Sequence, residues 1–165
     1  MSSTAKEKKE SVIAALIQAR RNILDVAYAL PLEKQDEVFL GVWSVADLLA
    51  HLIGWDYTNL EATKSILQGE LPEFYSHRDR DWETYNALLV ERHKTEDYAE
   101  LLHAVEASHR ALVDLLATVP ADEFEKDRGV RYRRYKVTIA RLLQAEAEDE
   151  EEHYRQIKEF GACGG

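Results

Sequence analysis

One cysteine, three prolines and seven glycines occur among 165 residues. The lone cysteine, Cys163 in the closing GACGG, excludes a disulfide framework within the chain, and a reducing, cytoplasmic setting is the expectation. The tail over 161–165 is expected to be flexible, which makes Cys163 incidental rather than catalytic. No apolar run approaches the ~18 residues of a membrane span. The opening MSSTAKEKKE is polar, with no apolar signal segment behind it, so no membrane partner is expected. Positive charge is also scarce. Against 31 Asp and Glu stand 21 Lys and Arg, a net charge of −10. That removes the field that would draw a phosphate backbone in, so nucleic acid is not an expected partner. There is no nucleophile elbow, P-loop or dinucleotide fingerprint, no strand-like alternation longer than a few residues and no Asn-Gly hairpin signal.

What is present is helical period. With 45% hydrophobic and 32% charged residues the chain reads as a soluble globular protein, and its length suits one domain over 1–165. Val12, Leu16, Ile17, Ile23, Leu24 and Ala27 recur at helical spacing over about 11–30, and Pro31 stops them. A second helix opens at Ser44, with Asp47 as the acidic half of a capping box. Its buried side carries Val45, Leu48, Leu52, Trp55 and Ala62, and Gly69 is its stop. LPEFYSHRDRD reads as a loop. A short helix over about 82–93 leads to a longer one opened by Thr95, with Leu101, Val105, Ser108, Leu112, Leu115 and Val119 as its stripe. The last helix spans about 137–160. Four long amphipathic helices and one short one in a connection predict an all-α four-helix bundle. The connections over 31–43, 69–81 and 120–136 exceed the ~2–8 residues usual between antiparallel neighbours, so at least one is expected to cross the bundle.

The last helix contains EAEDEEEHYRQI, in which six of the seven residues from Glu146 to Glu152 are acidic. At about 100° per residue, Asp149 lies about 40° to one side of His153 and Glu146 about 20° to the other. Leu142, Ile139 and Phe160 share that face and Ile157 adjoins it. His153, Asp149 and Glu146 therefore continue an apolar stripe, Glu150 falls on its border, and Glu148, Glu151 and Glu152 point to solvent. His51 sits similarly among Leu48, Leu52 and Trp55. Imidazole and carboxylate are the donor types for Zn or Ni, with Fe or Mn also accepted. Spacing of i to i+4 lets two of them converge on one ion. The plainer reading is that an inward His is a hydrogen-bonded core residue and a nearby acid its partner.

VWSVADLLAHLIGWD, followed at the far end by DEEEHYRQI, resembles the second and last helices of the DinB/YfiT-like superfamily. RDRDWETYNALLVERHKTEDYAELL between them looks most like the ClbS/DfsB branch, which includes proteins that protect their host from a DNA-damaging natural product. The resemblance implies up-down-down-up connectivity and a divalent metal held at the positions of His51, Asp149 and His153. Many relatives have His where this chain has Asp149; the mycothiol-dependent isomerases of the family use a carboxylate there. Glu146 is the candidate for a fourth ligand, a catalytic base or a partner of the ligands.

The remaining features have plain explanations. KDRGVRYRRYK, over 126–136, reads as a solvated loop rather than an anion grip. His109 reads as a boundary residue, His77, His93 and His103 as exposed ones, and Asp47 as a helix-start acid. Trp55, Trp82, Tyr57 and Tyr85 read as core before they read as pocket. Three functions remain: a metal-dependent enzyme that hydrolyses a small molecule or transfers a thiol to it, with Glu146 relaying a proton; a protection protein that binds or opens a reactive toxin; and a binding module or homodimer with a structural polar core.

Overall fold

The computed structural model describes residues 4–77 and 81–162. Five α-helices carry the fold: α1 (Ala5–Tyr28), α2 (Val45–Leu67), α3 (Trp82–His93), α4 (Tyr98–Thr118) and α5 (Ile139–Ala162). Two short antiparallel pairs, β1 (Val38–Leu40) with β2 (Trp43–Ser44) and β3 (Arg131–Tyr132) with β4 (Tyr135–Lys136), sit in connections. The protein is the expected all-α four-helix bundle with an extra short helix.

Local chemistry sets the helix starts. Ser44 and Asp47 form the expected capping box on α2. A second box, Thr4 with Glu7, starts α1 at Ala5, six residues before the apolar period begins. That first stretch is polar and exposed, so it has no period to read. α4 is capped by Asp97, whose carboxylate accepts from the amides of Ala99 and Glu100, rather than by Thr95. At the other end of the chain α5 continues through Gly161 and Ala162, which were expected in the tail, while Cys163 lies outside the described residues. The 71–81 loop contains a 3-10 turn over Glu73–His77, and 78–80 lie outside the described residues.

Contacts between helix ends fix the directions. Lys9 donates to the carbonyls of Ala117 and Val119, and Tyr98 donates to that of Ala27, so α1 and α4 are antiparallel. Lys34, just past α1, donates to Phe160 near the end of α5, so those two helices run alike. Lys94 lies 3.8 Å from Asp47, which brings the starts of α2 and α4 together. The order of the long helices is therefore up-down-down-up, and the segment from Gln68 to Asp97, with α3 inside it, is the crossing connection. α3 lies so close to α2 that a Cβ on Gly54 would stand 2.7 Å from Leu89 Cβ.

The apolar core is in two parts. One holds Val12, Leu16, Leu112, Leu116, Phe124 and Leu143; the other holds Ile23, Leu48, Leu52, Leu101, Val105 and Ile157. Between them each long helix contributes polar side chains: Arg20 from α1, Asp56 from α2, Ser108 from α4 and Glu150 from α5, all within 1% of full burial. Among the described residues no helix is long and apolar enough to cross a membrane.

Candidate functional site

The polar layer is one hydrogen-bonded unit. The Arg20 guanidinium donates to both Asp56 oxygens, at 2.7 and 2.8 Å, and through Nε to Glu150 at 2.7 Å. Ser108 donates to Asp56 at 2.6 Å. One cation thus meets two carboxylates, and a third carboxyl, Glu146, adjoins them. Burial, then the charges of Glu150 and Asp56, push the Glu146 carboxyl well above the usual carboxylate range. Burial also raises Glu150, but Arg20 draws it back. Because Glu150 touches the guanidinium, Glu150 is the ionised partner, and Glu146 keeps its proton and donates it to Glu150.

Glu146 also faces a cavity of about 320 Å³ that His51, Asp149 and His153 line with it. All four residues singled out in the sequence therefore meet at one space. The remaining wall is Trp43, Trp55, Trp82, Leu52 and Asn86. Trp55 is the pivot of this wall. Its ring lies 5.2 Å from Trp82 and 5.4 Å from Phe74, and its indole N–H donates to Asn86 at 2.9 Å. A neighbouring cavity of about 280 Å³ shares Trp55, Trp82, Glu146 and Asp149. Trp55 and Trp82 are pocket walls as well as core.

The two imidazoles stand edge to face, 5.8 Å between ring centres, and His51 is also 4.8 Å from the Trp43 ring. Burial, then the charge of His153, lowers His51 to about 3, so it is neutral near pH 7. Its Nδ1 is buried without a hydrogen-bond partner among the described residues. His153 Nδ1 lies 2.9 Å from the Gln156 amide oxygen. That acceptor makes Nδ1 the donor.

The expected inward face of the last helix needs two corrections. Glu150 is 1% exposed, not a border residue, and Asp149 is exposed at the cavity rather than buried. The reason is that α5 packs its midline against Arg20 of α1. The buried line is centred on Glu150, with Ile139, Leu143, Glu146 and Ile157 within about 40° of it, which leaves Asp149 about 100° away. His77 and His93 are half-buried rather than exposed. The first pairs with Asp81 and stacks on Tyr85, and the second stacks on Tyr57. His109 is half-buried, as expected.

The fit to a metal is divided. Two imidazoles, a carboxylate and an unpartnered ring nitrogen are suitable donors. Their placement is not: among the described residues no three His, Cys, Asp or Glu side chains are gathered closely enough to hold an ion.

A helical bundle with a polar pocket between its second and last long helices defines the class. The chain belongs to the DinB superfamily, whose model matches residues 15–157. Among solved structures it is similar to the colibactin self-resistance protein ClbS, crystallised in complex with a double-stranded DNA. That match has 19% identity and a TM-score of 0.79, and it covers 95% of this chain and 97% of that one. It is also similar to an uncharacterised protein from Escherichia coli UTI89, at 16% identity and a TM-score of 0.71, covering 92% and 91%. At these identities the likeness is one of fold. No curated protein matches the sequence.

Proposed function

We propose that the cavity between α2, α3 and α5 takes a small organic electrophile and opens it by acid–base chemistry. The observation that carries this reading is the meeting of a neutral imidazole and a protonated carboxyl, His51 and Glu146, on one aromatic-walled space of about 320 Å³. That volume suits a small ligand. Near pH 7 the imidazole is free to accept a proton and the carboxyl holds one to give. His51 takes the proton of a water or thiol as its oxygen or sulfur bonds to the electrophilic carbon. Glu146, with its hydroxyl turned from Glu150 to the cavity, gives its proton to the atom that leaves that carbon. Asp149 and His153 hold the reactant at the mouth. The ClbS likeness supports the choice of a reactive, toxic molecule as substrate.

The basic segment over 126–136 gives little support to a nucleic-acid partner of this chain. Among the described contacts Lys126 and Arg128 pair with Glu123, and Arg131 and Lys136 with Asp127.

A second reading has one observation in its favour, the unpartnered His51 nitrogen. Here His51, Asp149 and His153 would bind a divalent ion, Zn or Ni first, which would supply Lewis-acid polarisation. Because the three are not gathered in place, no step is assigned to it. The test is survival of cells challenged with a DNA-alkylating compound while expressing wild type, His51→Ala or Glu146→Gln. Protection by wild type alone is expected. Equal survival of all three would overturn the acid–base reading and leave a binding module.

A further inference from the structure

His51, Trp55 and Asn59 stand four residues apart on α2, so they form one ridge of that helix. The two outer residues each carry a buried nitrogen without a hydrogen bond. These are His51 Nδ1 and Asn59 Nδ2, and among the described residues no other buried side-chain nitrogen or oxygen lacks a partner. His51 lines the cavity of about 320 Å³, Asn59 the neighbouring one of about 280 Å³, and Trp55 lines both. Glu146 is also shared, so the two spaces adjoin along the ridge.

Asn59 is 1% exposed, in the middle of a helix whose buried side is mostly apolar. The polar layer does not account for it. Arg20 and Ser108 bond to Asp56, one turn before, and not to Asn59. Thr63 donates to the main-chain carbonyl of Asn59 and leaves the side chain alone. A buried N–H without an acceptor has lost its water with no return, and an apolar side chain of similar size would serve the fold better. A group with that cost is kept where function uses it. The last torsion of asparagine is broad and roughly two-fold, so the amide can turn its N–H to the cavity it lines.

We infer that Asn59 is a specificity residue whose amide donates to a carbonyl oxygen at the far end of the substrate. The inference rests on the reading of the His51–Glu146 cavity as the reaction site and adds the other half of the molecule. Eight residues of helix separate His51 from Asn59, a rise of about 12 Å. The substrate is therefore elongated. Its electrophilic carbon meets His51 and Glu146, its middle lies against Trp55, and its carbonyl reaches Asn59. A site built around such a donor rejects an analogue that lacks the acceptor, because the N–H is then sealed in unpaired.

The test uses acetophenone, α-methylstyrene, in which a methylene replaces the carbonyl oxygen, and 6-phenylhexan-2-one, which is long enough to enter both cavities. Acetophenone should shift the side-chain amide protons of Asn59 downfield, as a new acceptor does, and should move the Trp55 indole N–H. α-Methylstyrene should move the indole without the downfield shift. The long ketone should move Asn59 and Trp43 together, since Trp43 lines only the 320 Å³ cavity. Asn59→Leu should weaken acetophenone about fivefold and leave α-methylstyrene nearly unchanged. The two probes share a shape, so a change in packing alone would weaken both. If Asn59 does not shift downfield with acetophenone, whether because an ordered water already fills the place or because the ketone seats elsewhere, the inference fails while the cavities remain a ligand site. Equal weakening of both probes by Asn59→Leu has the same meaning. A long ketone that moves Asn59 but not Trp43 overturns the elongated substrate. If no probe moves any indole signal, the reading of the cavity as the substrate site fails as well.

Discussion

Arg20 and Asp56 hold each other through two hydrogen bonds, of 2.7 and 2.8 Å, between side chains that are each 1% exposed. The pair joins α1 to α2, and through Glu150 and Ser108 the same guanidinium–carboxylate unit reaches α5 and α4. It is a register mark for the bundle, since a one-turn slip of α1, α2 or α5 would strand a charge in apolar surroundings. Asp56→Ala leaves Arg20 short of a partner, and such a break in a buried pair costs about 3–5 kcal/mol. Urea denaturation should show a loss of that size with the m-value little changed. A loss under about 1 kcal/mol would mean that the pair is not buried in solution.

Glu146→Gln should stabilise the protein, as expected where function keeps an unfavourable group in the fold. The amide keeps a donor toward Glu150 and cannot ionise. The folded carboxyl sits above its unfolded value, so below about pH 4 both states are protonated and the variant gains nothing. As pH rises past that value the unfolded chain ionises and the folded one does not, and wild-type stability falls until the folded group titrates. Melting curves from pH 4 to 8 should show the variant pulling ahead as pH rises. A wild type that is the more stable at pH 8 would mean that Glu146 is ionised and paired in the fold.

His109 has the opposite dependence. Burial, then Arg20, lowers it to about 4, with Asp56 opposing. As pH falls through about 6.5 the unfolded chain gains a proton that the folded chain refuses, so stability is lost from there down to about pH 4. The slope is at most about 1.4 kcal/mol per pH unit. His109→Gln should flatten that part of the acid limb, whereas His103→Gln, at an exposed position, should not. Parallel acid limbs for wild type and His109→Gln would show that the imidazole is hydrated.

The helices were legible because their apolar periods are long, and His51, Glu146, Asp149 and His153 were legible because polar residues interrupt or flank those periods. The polar layer was not. Arg20 stands four residues after Leu16, and Asp56 four after Leu52, so each occupies a core position; but a long basic side chain on an apolar stripe ordinarily reads as one that extends to water. Only a partner on another helix makes it a core residue, and pairing across 36 and 130 residues has no local signal. The inward direction of α5 was displaced for the same reason, because it is set by Arg20 rather than by His153. The β3–β4 turn escaped because Arg133 takes the left-handed conformation, φ 56°, where glycine or asparagine would have announced it.

Metal dependence is open to a direct thermal test. The donors line one cavity but are not gathered, so an ion would have to draw His51, Asp149 and His153 together. An ion that binds the folded state and not the unfolded chain stabilises by mass action, about 2.7 kcal/mol at a hundredfold excess over its Kd. For a chain of this size that corresponds to a rise of roughly 5–10 °C in Tm. If the metal reading holds, chelation of the purified protein lowers Tm by this order and added Zn or Ni restores it. His153→Ala should abolish the response while keeping the helix content, since the apolar stripes do not depend on the ion, and Glu148→Gln should retain it. An unmoved Tm after metal removal confirmed by elemental analysis would leave His51 as a neutral base with a free ring nitrogen. The acid–base pair of His51 and Glu146 would then stand without a metal.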